Sequence, residues 1–420
     1  MLALLPLALL LVVPPPRRPP SAPTVGPVVR EAPAPWKVGT DELPLPLPPG
    51  VGLAGYGPLR RARGVRDSPM VRTVAIGGLA VVAIDVLEIS PQLEAAITAR
   101  FRRRFGEAPP PMLVAATHSH SGPGGTDANP VAEWLAEGRY EPALVDALAD
   151  TVALAVRHAQ ADESPADISW SSVARSDLQE ERDPGGRPDP TLFVLAAARA
   201  GTKARLATLA VYGAHPTLLP RGERLVSADW PGAAARELER EAGGVALVLQ
   251  GAGGDVSVPR IGLPAGAGGR LSVYGERFAG AVAAAIAGGR SLQPGAVGLA
   301  AADVTLPAPD LRLLAGPLHG VADRLLAAWA PERARVAVAV LGDLEIACVP
   351  GELTGAARAA WPRDDVIVSL CGGDVSYIEA PGLWRDGRGE KLALFGPDLR
   401  DRLLAGIDAA RRAARSATGP

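Results

Sequence analysis

PMLVAATHSHSGPGG, residues 111–125, sets an apolar run against two histidines and a glycine-rich loop. The chain has only five histidines in 420 residues, and His118 and His120 stand here one residue apart. A short apolar run that ends in polar residues and glycine reads as a buried strand delivering side chains to a site. The same arrangement recurs along the chain. GLAVVAIDV runs into Asp85, and ARLATLAVYGA into His215. GVALVLQ runs into GAGGDVS with Asp255 and Ser257, LEIACVPG into Glu352, and DVIVSLCGG into Asp374 and Tyr377. Amphipathic helical stretches alternate with these runs: 91–105, 141–160, 229–243 and 398–417. In the last, Leu403, Leu404, Ile407 and Ala410 recur at helical spacing. The alternation predicts an α/β fold of mixed, largely parallel sheets flanked by helices, with the active site at the carboxyl ends of the strands.

Composition sets outer limits. Apolar residues make up 48% and charged residues 21%, which is globular. A net charge of −2 gives no electrostatic basis for binding nucleic acid. Cys348 and Cys371 are too few for a disulfide framework, and both close apolar runs, so they read as buried small hydrophobes. MLALLPLALLLVV, residues 1–13, is short for a membrane span and resembles a secretory signal core, though no positive charge precedes it. Residues up to 36 then form a proline-rich tether. The expectation is an exported chain, periplasmic, secreted or held by its N-terminal segment, with one catalytic domain over 37–420.

The strand ends suggest their own chemistry. In an extended segment, side chains at i and i+2 share a side, so His118 and His120 can face one cavity. Pro216 holds His215 extended at the same sheet edge. Two imidazoles, the Glu352 carboxylate and the Tyr377 phenol suit a zinc ion with room for water or substrate. GAGGDVS can present the Ser257 hydroxyl on a turn that is not the G-x-S-x-G elbow. His158, in mid-helix, and His319 are assigned no chemistry. RFRRRF (101–105 with its flank) reads as a solvated helix face, with contact at an anionic membrane surface as the minor alternative.

Taken in order, these segments resemble the neutral, non-lysosomal ceramidases. THSHSGPGG (117–125) is similar to that family's T-H-T-H-S-G-P-G-G signature, and GGDVS (253–257) to its G-D-V-S-P-N nucleophile segment. HPT (215–217) with LVSADWPG (225–232), and VPGELT (349–354), resemble two further motifs. The resemblance runs from residue 37 to about 400. It implies a zinc-dependent amidase cleaving an N-acyl amide, ceramide or a related lipid. It implies His118, His215, Glu352 and Tyr377 as zinc ligands and Ser257 as the nucleophile. It further implies His120 beside the metal steadying the oxyanion, Arg175 in ARSD stabilising the site, and Asp255 supporting the serine loop. The chain departs from the pattern in Val258-Pro259-Arg260 after the serine and in GRGEKLALFGP, which has no tyrosine. These departures leave two alternatives open: a metal-dependent esterase or small-amide hydrolase, and a non-catalytic metal-binding envelope protein.

Overall fold

The computed structural model describes residues 18–26, 29–31, 35–182, 186–362 and 365–417. The signal-like run at 1–13 lies outside the described residues. Two large sheets pack face to face. The first has the order Val245–Gln250, Arg205–Tyr212, Thr191–Arg199, Ser164–Ala174, Lys37–Pro44, Met70–Ile76, Leu79–Ile84, Met112–Ala116, with Arg290–Ser291 beside Ser164–Ala174. The second has the order Thr24–Val25, Val297–Thr305, Arg333–Leu341, Leu344–Cys348, Val366–Val368, with Val29–Glu31 also on Val297–Thr305.

The period-two pattern of each strand builds four layers. Val74, Val81, Leu113 and Leu209 of the first sheet meet Ala339, Ile346 and Val368 of the second in a central core. Their alternate neighbours point outward. Val82, Ile84 and Val114 pack under helices Pro91–Phe105 and Pro142–Ala161. Ala210 and Val248 pack under Asp229–Ala242 and Ala267–Ala287. Val336, Val338 and Val340 pack under Leu399–Ala417. The molecule is thus a helix–sheet–sheet–helix sandwich. The first helix shows why the boundaries were legible: Ser90 accepts from Leu93 N at its start, and Gly106, at φ +74°, ends it.

The sheets are mixed, but most pairings are antiparallel, against the expectation of a largely parallel arrangement. Short connections explain this. Gly77 and Gly78 turn Met70–Ile76 into Leu79–Ile84, and Gly342 turns Arg333–Leu341 into Leu344–Cys348. Parallel pairs arise where a helix intervenes: Leu79–Ile84 with Met112–Ala116, Arg205–Tyr212 with Val245–Gln250, and Leu344–Cys348 with Val366–Val368. The long helix Ala267–Ala287 is a further surprise, because glycines dilute its pattern. Gly275 allows it to cross Asp229–Ala242: a Cβ there would lie 3.1 Å from the Ala233 backbone.

Two other expectations change. Thr24–Val25 and Val29–Glu31 pair with Val297–Thr305, so part of the proline-rich segment extends the sheet edge and is not a free tether. Cys348 and Cys371 are buried, as expected of small hydrophobes, but they form a disulfide across 23 residues. Sequence spacing could not show that Cys371 bridges to Ala115 and so returns beside the end of Leu344–Cys348. Closing a loop of this length stabilises by about 3 kcal/mol. The Cys348→Ala/Cys371→Ala variant is therefore expected to melt several degrees lower than the parent, measured by calorimetry. Among the described residues, no helix is long and apolar enough to cross a membrane.

Candidate metal centre and active site

The three parallel pairs matter because their carboxyl ends converge. Met112–Ala116 delivers His118 and His120, and Arg205–Tyr212 delivers His215. The segment after Leu344–Cys348 delivers Glu352, and the one after Val366–Val368 delivers Tyr377. Glu352 and Tyr377 stand opposite each other in a short parallel pair. The histidine pair reaches the site by a route the extended-segment expectation missed. The strand stops at Ala116, and His118 takes φ +67°, the left-handed region that a non-glycine residue enters only under constraint.

The ring nitrogens define what the cluster can hold. His118 Nδ1 lies 2.9 Å from Leu87 O, His120 Nδ1 3.0 Å from Gly55 O, and His215 Nδ1 2.9 Å from Gly253 O. Each carbonyl requires an N–H at Nδ1, so in the neutral ring a lone pair stands at each Nε2. Those three Nε2 atoms converge: His118 lies 3.2 Å from His120 and 3.3 Å from His215. Glu352 Oε2 lies 3.3 Å from His118 Nε2 and 3.1 Å from His215 Nε2, yet it is buried and accepts no hydrogen bond. Lone pairs and a carboxylate oxygen cannot satisfy one another. A cation resolves the conflict, and the backbone carbonyls behind the rings orient them for it. Tyr377 OH lies 3.4 Å from His215 Nε2. Burial, then Glu352, pushes its hydroxyl well up. The residues present therefore fit a metal ion.

The ligand nitrogens of His118, His120 and His215 all lie within 4.8 Å of one another, so the geometry alone does not separate ligand from catalyst. Burial first, then His118 and His215, holds His120 well below the usual histidine range. Neutral, with Nδ1–H given to Gly55 O, it offers an acceptor at Nε2. It can take a proton; it can stabilise an oxyanion only after it has done so.

Ser257 lies beside His215 through the backbone: the two form a parallel bridge, and His215 N donates to Val256 O. Its hydroxyl is half-buried, with no hydrogen bond among the described residues. Asp255 Oδ1 accepts from Gly355 N at 2.8 Å, tying the serine loop to the segment that carries Glu352. Burial raises Asp255 to about 6. Arg175 does not join the cluster. Asp177, two residues on, binds its guanidinium through two contacts of 2.8 and 2.7 Å at the surface. The arginine at the site is Arg182, whose NH1 donates to Gly254 O at 2.9 Å and to Tyr377 OH at 3.4 Å. Within the charged run QEERD nothing in the sequence marks it as inward-facing.

His118, His120, Glu352 and Tyr377 line a cavity of about 220 Å³. Leu87, Leu135, Leu326, Ala330, Leu394 and Phe395 give it an apolar wall, and Ser257 is not on that wall. One side is acidic. Glu88, Asp127 and Asp374 all line it. Burial first, then Asp374, pushes Glu88 well up, and burial raises Asp374 to about 6. Asp374 was visible at a strand end, whereas Glu88 and Asp127 carried no signal of convergence. The other histidines lie elsewhere. His158 pairs with Asp41 at the surface, and His319 with Asp323. Arg102, Arg103 and Arg104 are exposed, as a solvated face requires.

The glycine loop has a hidden brace. Glu137 Oε2 accepts from Gly125 N, Thr126 N and Thr126 Oγ1 at 2.9–3.0 Å. Burial, then Asp127, raises its carboxyl to about 7. The folded state thus keeps a proton that the unfolded chain releases above the ordinary value of 4.5. This group's contribution is fully present below 4.5 and declines as pH rises toward 7, by about 1.4 kcal/mol per unit. Glu137→Gln, whose NH2 can replace the unpartnered Oε1, is expected to flatten the melting temperature between pH 5 and 7.

Comparison with known proteins agrees with this geometry. The family pattern "Neutral/alkaline non-lysosomal ceramidase, N-terminal" matches residues 48–288. The neutral ceramidase of Mycobacterium tuberculosis is 31% identical over 146 residues, 31% of this chain and 22% of that protein. The crystal structure of neutral ceramidase from Pseudomonas aeruginosa superposes with a TM-score of 0.74 at 18% identity, covering 90% of this chain and 75% of that one. A ceramidase complexed with C2 gives 0.74 at 19% identity with the same coverage. The aligned segment spans less than a quarter of the mycobacterial relative's length. With the match spanning more than half of its residues, the chain belongs to the neutral/alkaline non-lysosomal ceramidase family.

Proposed function

We propose that this protein hydrolyses the amide bond of an N-acyl lipid, ceramide or a close relative, in a zinc-dependent reaction with Ser257 as nucleophile. The observation that carries this is the convergence of three Nε2 lone pairs and Glu352 Oε2 beside an apolar cavity. His118, His215, Glu352 and Tyr377 would hold the zinc ion, which supplies a Lewis acid for the acyl carbonyl. The Ser257 oxygen bonds the carbonyl carbon, and its proton passes to His120 Nε2. The protonated imidazole donates to the oxygen that gains charge and then to the departing nitrogen as the C–N bond breaks. Water releases the acyl group from Ser257 and restores the hydroxyl. Arg182 fixes the Gly254 carbonyl and the Tyr377 hydroxyl, and so positions both the serine loop and a ligand.

The acidic side of the cavity favours a substrate with hydroxyl or amine groups over a plain fatty ester. We also infer export, because a buried disulfide suits an oxidising compartment. The test is turnover by the purified zinc-loaded chain on matched amides and esters of increasing acyl length. N-acyl sphingoid amides are expected to give the highest kcat/KM. A metal-loaded enzyme that cleaves esters and leaves every amide intact would assign it instead to the esterase alternative.

A further inference from the structure

Two segments frame the mouth of the cavity. Residues 129–136 form one wall and 326–331 the other. Asn129 Nδ2 donates to Trp329 O at 2.9 Å, so the two segments touch. Each segment holds a large apolar side chain in water: Trp134 is 71% exposed and Trp329 55%. Leu318 and Leu325, one at the start and one within helix His319–Ala327, are 73% and 60% exposed. Seven residues apart, they share one helix face. Leu326 and Ala322 on another face already pack into the core, so this helix is apolar on two sides. A soluble helix needs only one. Exposed large apolar side chains on the segments that line an apolar cavity mark a candidate interaction surface.

The chain's own path points to the same rim. Arg18 NH1 donates to Pro331 O at 2.7 Å, and Arg402 NH2 holds Arg18 O at 2.8 Å. Pro331 lines the cavity. The apolar run MLALLPLALLLVV ends at Val13, five residues before Arg18. Five residues reach at most about 18 Å. The first described residue, Arg18, thus sits beside a residue that lines the cavity.

We propose that this rim, with Trp134, Leu318, Leu325 and Trp329, docks on a lipid bilayer, so that the amide passes from the membrane into the cavity without crossing water. The proposal rests on the lipid-amide reading above. Indole rings suit such a boundary, since their apolar body and N–H match the interface.

The test uses the full chain, the Trp134→Ala/Trp329→Ala variant, and phosphatidylcholine vesicles with brominated acyl chains, which quench only tryptophans in contact with lipid. The other five tryptophans serve as an internal reference. Vesicles are expected to quench the parent and leave the double variant's fluorescence unchanged. Hydrolysis of a vesicle-embedded long-chain amide should fall by about tenfold or more in the variant, the loss expected from one large side chain kept in water. A short-chain amide in free solution should be cleaved at the parental rate. Equal quenching of both proteins, or none in either, overturns the docking surface. So does sedimentation showing a dimer of the parent that the double variant loses, since a second copy would then cover the rim. Failure on the soluble amide in both proteins would instead count against the hydrolase reading.

Discussion

Replacing His118 with alanine is expected to abolish amide hydrolysis and to leave the purified protein without stoichiometric metal. The reason lies in the arrangement of lone pairs. His118 Nε2 is within 3.3 Å of His120, His215 and Glu352 Oε2, so it touches three other members of the cluster. Removing it leaves His215 and Glu352 as the adjacent strong ligands. Loss of a residue that only supports a ligand costs roughly 10–100-fold in metal affinity, and loss of a ligand itself should exceed that. Elemental analysis reads this directly, whatever the substrate. His215→Ala should behave alike. Histidine already bears the cost of the left-handed backbone, and alanine is less favoured there, so thermal stability is measured alongside. His118→Asn, which tolerates that conformation better, separates strain from ligation. Normal zinc content in His118→Ala would remove this residue from the ligand set.

Ser257→Ala is expected to lower kcat by at least about 10³-fold while metal content stays at the parental level. The pairing of Ser257 with His215 ties the serine loop to the His215 segment, and Asp255 ties it to the Glu352 segment. The hydroxyl itself has no hydrogen-bond partner among the described residues, so its removal should disturb neither link. Metal content is the control that separates a chemical role from a structural one. Full activity in this variant would replace the covalent step with direct attack by water.

How much of this was legible depends on how local each signal is. Strand ends were readable because an apolar run followed by glycine and a polar side chain is a local pattern. Met112–Ala116 into His118 and Arg205–Tyr212 into His215 are examples. The helix Pro91–Phe105 carried its cap and its stop in its own residues. Strand direction was not readable in the same way. It depends on whether a glycine turn or a helix fills the connection, and antiparallel pairings, such as the hairpins at Gly77 and Gly342, outnumber the parallel ones. Arg175 and Arg182 show the limit most sharply. Both stand in charged, polar stretches. Only the local carboxylate of Asp177 and the distant Gly254 carbonyl and Tyr377 hydroxyl decide which one faces the cluster.

The sequence by itself determined the family, the candidate ligands His118, His215, Glu352 and Tyr377, and four of the helices that cover the sheets, because these rest on short ordered patterns. Tertiary structure alone decided the disulfide between Cys348 and Cys371, the left-handed turn at His118, the Glu137 brace and the acidic side of the cavity. Each of these joins residues that are distant in the chain, or constrains the backbone through packing from several elements at once. Such relations become physical only when the layers close.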